Sequence, residues 1–371
     1  MNRGLYLHIP FCVRKCGYCA FYSETGSLSL RKAYADALIR SVCDFMPGRR
    51  FSIDTVYFGG GTPTLLGPDL LAGILDAVRS RFDLTDDAEI TLEANPGTVD
   101  PGALSALRQA GFTRLSFGVQ SLYDEELRML GRIHTADEAR QALLAAHRAG
   151  FDHLSADLMA GIPRQTPVTL KDSLHQMAAL PIDHVSVYLL SIEPGTPFAA
   201  KKEALNLPDD DAMADDYLLL CEETQKLGFA QYEVSNFARP GGACRHNIHY
   251  WRCEEYLAFG PAANGYLDGR RYAFAPDLHA FIQSAGNGIF QTEDLGAGGD
   301  FDEVFFLGMR LKEGVSLRAL ERRFGRILSR LRLRAAPLVR AGFLLLENGD
   351  RLSFTPKGYA VSNQILAELL F

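Results

Sequence analysis

No apolar run in this 371-residue chain approaches the roughly 20 residues that cross a bilayer, so a spanning helix is not expected. Tryptophan occurs once, at position 251, and cysteine only seven times. An odd number of cysteines in a mid-sized chain argues against a disulfide framework and for a reducing compartment in which thiols stay free. The start of the chain enters a strand-like stretch, residues 5–9, without the basic region, apolar core and cleavage site of a signal peptide. We therefore expect a cytoplasmic protein that meets a membrane only through a partner. Positive charge is not in excess either: 38 Lys and Arg face 45 Asp and Glu, a net charge of -7. That balance favours solubility and gives no overall signal for nucleic acid.

Three of the scarce cysteines are crowded together. The stretch HIPFCVRKCGYCAFYSE, residues 8–24, places Cys12, Cys16 and Cys19 on one loop directly after the first strand-like run. A zinc site would need a fourth Cys or His close by, and Phe21, two residues after the last cysteine, does not supply it. Three thiolates on a 4Fe-4S cubane leave one iron open to an external chelating molecule. Arg14 and Lys15 would lower the thiol pKa values and offset cluster charge.

Up to about residue 196 one unit recurs six times: a short apolar strand-like run, a Gly- or Pro-containing turn, then a helical stretch. The runs with their turns are GLYLHIPF, TVYFGGGTPT, EITLEANPGT, RLSFGVQS, HLSADLMAGIP and HVSVYLLSIEPGT. Residues 30–45, 69–82 and 135–149 carry apolar residues at helical spacing. Near-continuous apolar strands joined by helices indicate parallel pairing, as a barrel or an open sheet, with the active face at the carboxyl ends of the strands. The fold class expected is α/β, a partial six-unit barrel (residues 1–228). A Gly- and aromatic-rich annex (229–296) and a module of three helices and an Asn348-Gly349 hairpin, winged-helix-like (300–371), complete the chain.

The cysteine spacing after the first strand of a parallel barrel resembles the radical S-adenosylmethionine (SAM) family. The resemblance implies a 4Fe-4S cluster on Cys12, Cys16 and Cys19 whose open iron binds the amino and carboxylate groups of SAM. An electron from the cluster then cleaves SAM to a 5'-deoxyadenosyl radical. GGGTPT fits the family's motif for the SAM amino group, where glycines let backbone carbonyls come close to an ammonium. Tyr18 stands where the family has an aromatic residue near the adenine. LYLHIPFC, LEANPGT, RLSFGVQS, LGRIH and ADLMAGIP narrow the resemblance to the branch that holds oxygen-independent coproporphyrinogen III oxidases and haem chaperones. Carried over, Tyr6, Tyr18, Gly60, Gly61, Thr62, Glu93, Gln120, Arg132 and Asp157 fall on SAM-contacting positions.

Two departures favour the chaperones. The oxidase pattern has a further cysteine at the position of Phe21 and a longer extension before the cluster loop. HNIHYW, residues 246–251, matches a motif associated with haem handling, which makes His246 and Trp251 candidate haem contacts. Tyr250 could cover a porphyrin face, and Cys244 is a second candidate iron ligand. GPAANG carries Asn264 where chaperone-like sequences have a histidine. The expectation is a protein that binds haem and passes it to a haem protein, plausibly a respiratory one. An electron donor such as flavodoxin or ferredoxin and a homodimer are candidate partners. Whether the chain is an enzyme is left open, and no catalytic residue is named. The alternatives are coproporphyrinogen III oxidation, another radical SAM alkyl or methyl transfer, and a DNA-binding winged helix using Arg318, Arg322, Arg323, Arg326, Arg330, Arg332 and Arg334. An acidic chain with a solvated charged face speaks against DNA.

Overall fold

The structure, a computed structural model, describes residues 2–46, 48–286, 292–325 and 327–370. Six strands, β1 (Arg3–Ile9), β2 (Ser52–Gly60), β3 (Asp83–Ala94), β4 (Arg114–Gln120), β5 (His153–Ala160) and β6 (His184–Leu189), pair in parallel in chain order. Helices Leu28–Cys43, Pro68–Arg81, Pro101–Ala110, Ala136–Arg148 and Pro167–Ala178 lie in the connections. Local chemistry fixes where several begin: Ser27 and Asp100 accept backbone N–H groups at their N-caps, and Thr135 with Glu138 closes a capping box. The helical expectation for residues 135–149 rested on apolar spacing, and this box explains its start.

The strands are not uniformly apolar. Leu5, Leu7 and Ile9 of β1, Val56 and Phe58 of β2, Leu115 and Phe117 of β4, and Leu154, Ala156 and Leu158 of β5 are fully buried. Between them stand Tyr6 and His8, Thr55 and Tyr57, Arg114 and Ser116, and Ser155 and Asp157. Strand side chains alternate faces, so the apolar row packs on the helices and the polar row faces inward. GLYLHIPF already carries this alternation, which the expectation of near-continuous apolar strands passed over. The inner face of this sheet is polar, unlike the branched apolar filling usual in parallel barrels.

The annex belongs to the same sheet. Strands β7 (Ala230–Gln231) and β8 (Asn236–Ala238) extend it antiparallel beyond β6. Strand β9 (Tyr256–Phe259) pairs parallel to β1, and β10 (Asn264–Leu267), β11 (Arg270–Ala273) and β12 (Glu293–Ala297) follow as a meander. The result is one twelve-stranded sheet. Among the described residues its two edges do not pair, so the barrel is open.

Helix Arg245–Trp251 seals the amino-terminal end of the inner face. Its first N–H groups, from Arg245 and His246, donate to the Glu89 carboxylate at 3.2 and 3.1 Å, where a negative charge suits the helix dipole. Arg114 of β4 donates from Nε to Glu89 at 3.2 Å and from Nη2 to the Gly242 carbonyl at 2.7 Å. Both side chains are buried, at 2% and 10% exposure.

The C-terminal module has five helices where three were expected, Phe301–Gly308, Leu317–Phe324, Ser329–Arg340, Pro356–Ala360 and Ser362–Leu370, and a three-stranded sheet. Its strands are β13 (Val315–Ser316), β14 (Leu344–Glu347) and β15 (Arg351–Phe354). Asn348 and Gly349 take φ of 51° and 65°, the left-handed pair that a type I′ hairpin turn requires. Backbone bonds from Val234 to Arg310 and from Lys312 to Tyr232, both 2.9 Å, dock the module on the barrel. Of the arginine-rich stretch, Arg332 and Arg334 are tied to the carbonyls of Gly349 and Leu369. Arg326 lies outside the described residues.

Because Glu89 holds both a buried arginine and a helix terminus, Glu89→Ala leaves an uncompensated buried cation. Urea denaturation is expected to show a loss of about 3–5 kcal/mol. Asp76→Ala, which breaks an exposed pair with Arg79, is expected to change stability by less than about 1 kcal/mol.

Candidate functional site

The carboxyl ends of β1 to β4 converge on the cysteine loop. Cys12, Cys16 and Cys19 are free and half-buried. The loop is docked by Gly17 N–H to Leu130 O at 3.3 Å, Phe198 N–H to Gly17 O at 2.9 Å and Arg14 Nη2 to Gly131 O at 2.6 Å. The Cys19 thiol is pushed above its ordinary pKa, chiefly by burial.

The Gly59–Thr62 turn closes against this loop. Gly61 N–H donates to Ile9 O at 2.9 Å and Thr62 N–H to Phe11 O at 2.7 Å. A Cβ at Gly61 would stand 2.6 Å from the Phe11 carbonyl oxygen. The glycine is therefore needed for the close approach of two chain segments, a different reason from the approach of a ligand that the motif suggested.

A chain of polar contacts runs from thiol to thiol. Cys12 Sγ lies 3.7 Å from Thr62 Oγ1, which accepts from Asn95 Nδ2 at 2.7 Å. Asn95 Oδ1 accepts from Arg132 Nη2, and Arg132 Nη1 points at Cys16 Sγ, 3.7 Å away. Arg132 also donates to Gly118 O at 2.5 Å. Gln120 ends β4 with φ of 71°, where a register shift interrupts the β4–β5 pairing, a strained conformation of the sort held at functional sites. Among the described residues Gln120 Oε1 and Arg132 Nε are buried without a partner.

Below this mouth Glu93 and Asp157 face the interior. Glu93 accepts from Tyr57 Oη at 2.8 Å and from Gly60 N–H at 3.0 Å, yet burial raises its pKa to about 7, with the Asp157 charge adding to the effect. Burial likewise raises Asp157 to about 6, against the pull of Ser186 and Ser116. Both carboxyls line a polar cavity of about 40 Å³ with Tyr57, Arg114, Ser116 and His184. That is room for about three or four waters at roughly 10–15 Å³ each, and far too little for a porphyrin.

Tyr6 lies inside the barrel with its hydroxyl on His8 Nδ1 at 2.9 Å. Tyr18 sits edge-on to Phe198, with ring centroids 6.3 Å apart, over a small apolar cluster that includes Leu130 and Met159. The HNIHYW segment lies elsewhere. Thr55 and Thr62, seven positions apart on β2 and its turn, are separated by up to about 20 Å of extended chain; His246 bonds the first and the cysteine loop the second. Both His246 ring nitrogens are engaged, Nδ1 with Thr55 Oγ1 at 2.9 Å and Nε2 with Tyr250 Oη at 2.8 Å. Its ring stacks on Tyr57, and burial lowers its pKa to about 3. Cys244 is buried, directs its thiol at Glu89 at 3.5 Å, and is pushed well above an ordinary thiol pKa by burial. Neither residue offers a ready ligand atom in this arrangement. Trp251 is half-buried with its indole N–H beside the Glu233 carboxyl, and Asn264 is exposed, bonding the Ala262 carbonyl at 3.1 Å.

The sequence reading did not single out Asn95 or Tyr57. Asn95 stood inside LEANPGT, a quoted motif, but only the tertiary contacts distinguish it from a turn residue.

Residues 6–177 match the family model of the radical SAM superfamily, and residues 301–361 that of the HemN C-terminal domain. A protein named heme chaperone HemW from Mycobacterium tuberculosis is 37% identical over 380 residues, covering 99% of this chain and 94% of the relative. The chain belongs to the HemW family of radical SAM proteins. Another relative named HemW, from Escherichia coli, is 40% identical over 275 residues, 72% of this chain and 71% of the relative. A solved coproporphyrinogen III oxidase (HemN) from Escherichia coli superposes with a TM-score of 0.85, covering 99% of this chain and 90% of that one. At 23% identity it shares the fold.

A HemW-family site should accept an iron–sulfur cluster and SAM, and the residues fit both. Three half-buried thiols on one loop are a soft donor set. Among the described residues no three His, Cys, Asp or Glu side chains converge on one point for a single ion, but a cubane places each thiolate on a different iron and needs no such convergence. The unpartnered Gln120 and Arg132 atoms and the paired carboxyls match a ligand carrying carboxylate, ammonium and hydroxyl groups.

Replacing any of Cys12, Cys16 or Cys19 by Ala is expected to abolish iron and sulfide incorporation while the circular dichroism spectrum stays native. Cys43, exposed, and Cys221, buried, serve as controls whose replacement leaves the iron content unchanged.

The carboxyls also set a pH dependence. Glu93 and Asp157 have folded pKa values above their unfolded ones, so the folded state binds more protons between about pH 4 and 7. Stability of the ligand-free protein is expected to fall as pH rises through that window. Glu93→Gln is expected to flatten the slope in denaturation at pH 5, 6 and 7, and an unchanged slope would show that Glu93 does not titrate there.

Proposed function

We propose that this protein is a haem chaperone, carrying a 4Fe-4S cluster on Cys12, Cys16 and Cys19 and SAM beside it, which binds haem and hands it to a haem protein. The observation that carries this reading is similarity to curated haem chaperones across 99% of the chain, together with the three-thiol loop and the polar mouth around it. Phe21, 69% exposed, stands where the resemblance puts a further oxidase cysteine.

In this reading Arg132 and Gln120 receive the SAM carboxylate and other polar groups. Glu93 and Asp157 accept from its ammonium or ribose hydroxyls. Gly60, Gly61 and Thr62 hold the turn against the cluster loop, while Tyr6 and Tyr18 flank the pocket. When bound, the cluster supplies an electron and SAM the bond it cleaves. A cationic ligand favours ionised Glu93 and Asp157, so SAM binding strengthens as pH rises from 6 to 7.5.

Haem does not fit the inner cavity, so it binds at the surface. For His246 to ligate iron, or Trp251 to stack on the porphyrin, helix Arg245–Trp251 must open and release Thr55 or Tyr250. No helix among the described residues is long and apolar enough to cross a membrane. The respiratory acceptor, the flavodoxin- or ferredoxin-type donor, the homodimer and the cytoplasmic location remain parts of the proposal.

Anaerobically purified protein is expected to bind haem stoichiometrically and to give no multiple-turnover product from coproporphyrinogen III with SAM and a reductant. Turnover without haem binding would make it an oxidase. His246→Gln is expected to leave the type of Soret spectrum unchanged, because the wild-type imidazole is held between Thr55 and Tyr250 and does not reach the iron. A changed spectrum would identify His246 as the iron ligand and require the helix to open.

A further inference from the structure

Arg132 is half-buried, its hydrogen-bond partners are all neutral, and the carboxylate that feels its charge, Asp157, is not bonded to it. Its contacts are the Asn95 side-chain oxygen, the Gly118 carbonyl and the Cys16 thiol, with no carboxylate bonded to it among the described residues. The guanidinium therefore keeps a positive charge that no direct ion pair cancels, next to a thiol on the cluster loop. Asn95 makes this arrangement. Its oxygen holds Arg132, and its amide nitrogen holds Thr62, whose hydroxyl lies 3.7 Å from Cys12 Sγ. One neutral amide thus ties together the supports of two cysteines, Thr62 after β2 and Arg132 just past the helix Asp124–Leu130.

The fit is tight. A Cβ at Gly118 would stand 2.8 Å from Asn95 Oδ1 and 3.1 Å from Arg132 Nη2, so β4 gives up a side chain where the two groups meet. A carboxylate could still accept from Arg132, but it would lose the donor to Thr62 and cancel the arginine's charge.

We infer that Asn95 is a positioning residue whose neutrality keeps Arg132 electrostatically available to the cluster and to an anionic group of the bound ligand. The Asn95 side chain bonds Thr62 and Arg132 and not a thiol, so it acts through them, as partners behind metal ligands generally do. The inference rests on the cluster-and-SAM reading of this site.

The test compares wild type with Asn95→Asp and Asn95→Ala, each reconstituted anaerobically. Iron content, the SAM-induced change in the electron paramagnetic resonance spectrum, the cluster reduction potential and SAM affinity are measured. Wild type comes first: without a SAM-responsive cluster there, the reading itself fails, independently of Asn95. Given that cluster, Asn95→Asp is expected to keep the fold and iron content, shift the potential negative and weaken SAM binding on the order of tenfold. An anion beside the cluster disfavours the added electron. Asn95→Ala, which frees Arg132 and Thr62 without adding charge, is expected to weaken SAM binding with a smaller change in potential. Loss of iron from a natively folded variant also supports the positioning of the cysteines. Wild-type potential and SAM affinity in both variants would overturn the inference, as would unfolding of the nearly isosteric Asp variant, which would make Asn95 a structural turn residue.

Discussion

A row of polar side chains, buried or half-buried, points into the centre of this protein. Tyr6 and His8, Thr55 and Tyr57, Glu93, Arg114 and Ser116, Ser155 and Asp157, and His184 and Ser186 fill the space that apolar branched residues fill in most parallel barrels. A buried polar group without a partner costs about 1–3 kcal/mol, so this row has to be satisfied from within. Much of the remaining architecture meets that demand.

At the amino-terminal end the demand is met by helix Arg245–Trp251. Glu89 caps the helix and pairs with Arg114, Tyr250 and Thr55 engage His246, and Asp54 bonds His249 at 2.8 Å. The His249 imidazole, though lowered by burial, is lifted overall to about 9 by the Asp54 and Glu254 carboxylates. The polar letters of HNIHYW thus build a plug.

At the other end the partners run out. Gln120 Oε1 and Arg132 Nε are unpartnered, and Glu93 and Asp157 share one small cavity. The same inner row is closed by protein at one end and left for a ligand at the other. Asn95 stands at that boundary, holding Arg132 beside the Cys16 thiol.

The sequence by itself determined the six parallel units, the cysteine loop and the hairpin at Asn348-Gly349. Each depends on neighbours within a few residues: strand periodicity, Cys spacing, or a left-handed turn pair. It also determined the family, because its motifs are local strings. Tertiary structure decided what those strings face. His246 and Trp251 looked like haem contacts because imidazole and indole suit a porphyrin, yet the fold places His246 between Thr55 and Tyr250, far along β2 from the cysteines. Gly61 was read from its motif alone, and the fold adds that its missing Cβ makes room for the Phe11 carbonyl. Asn95 drew no notice inside LEANPGT, and only tertiary contacts make it the link between Thr62 and Arg132. Residue type tells what a side chain can bond; the packing of segments distant in sequence decides which bond it makes.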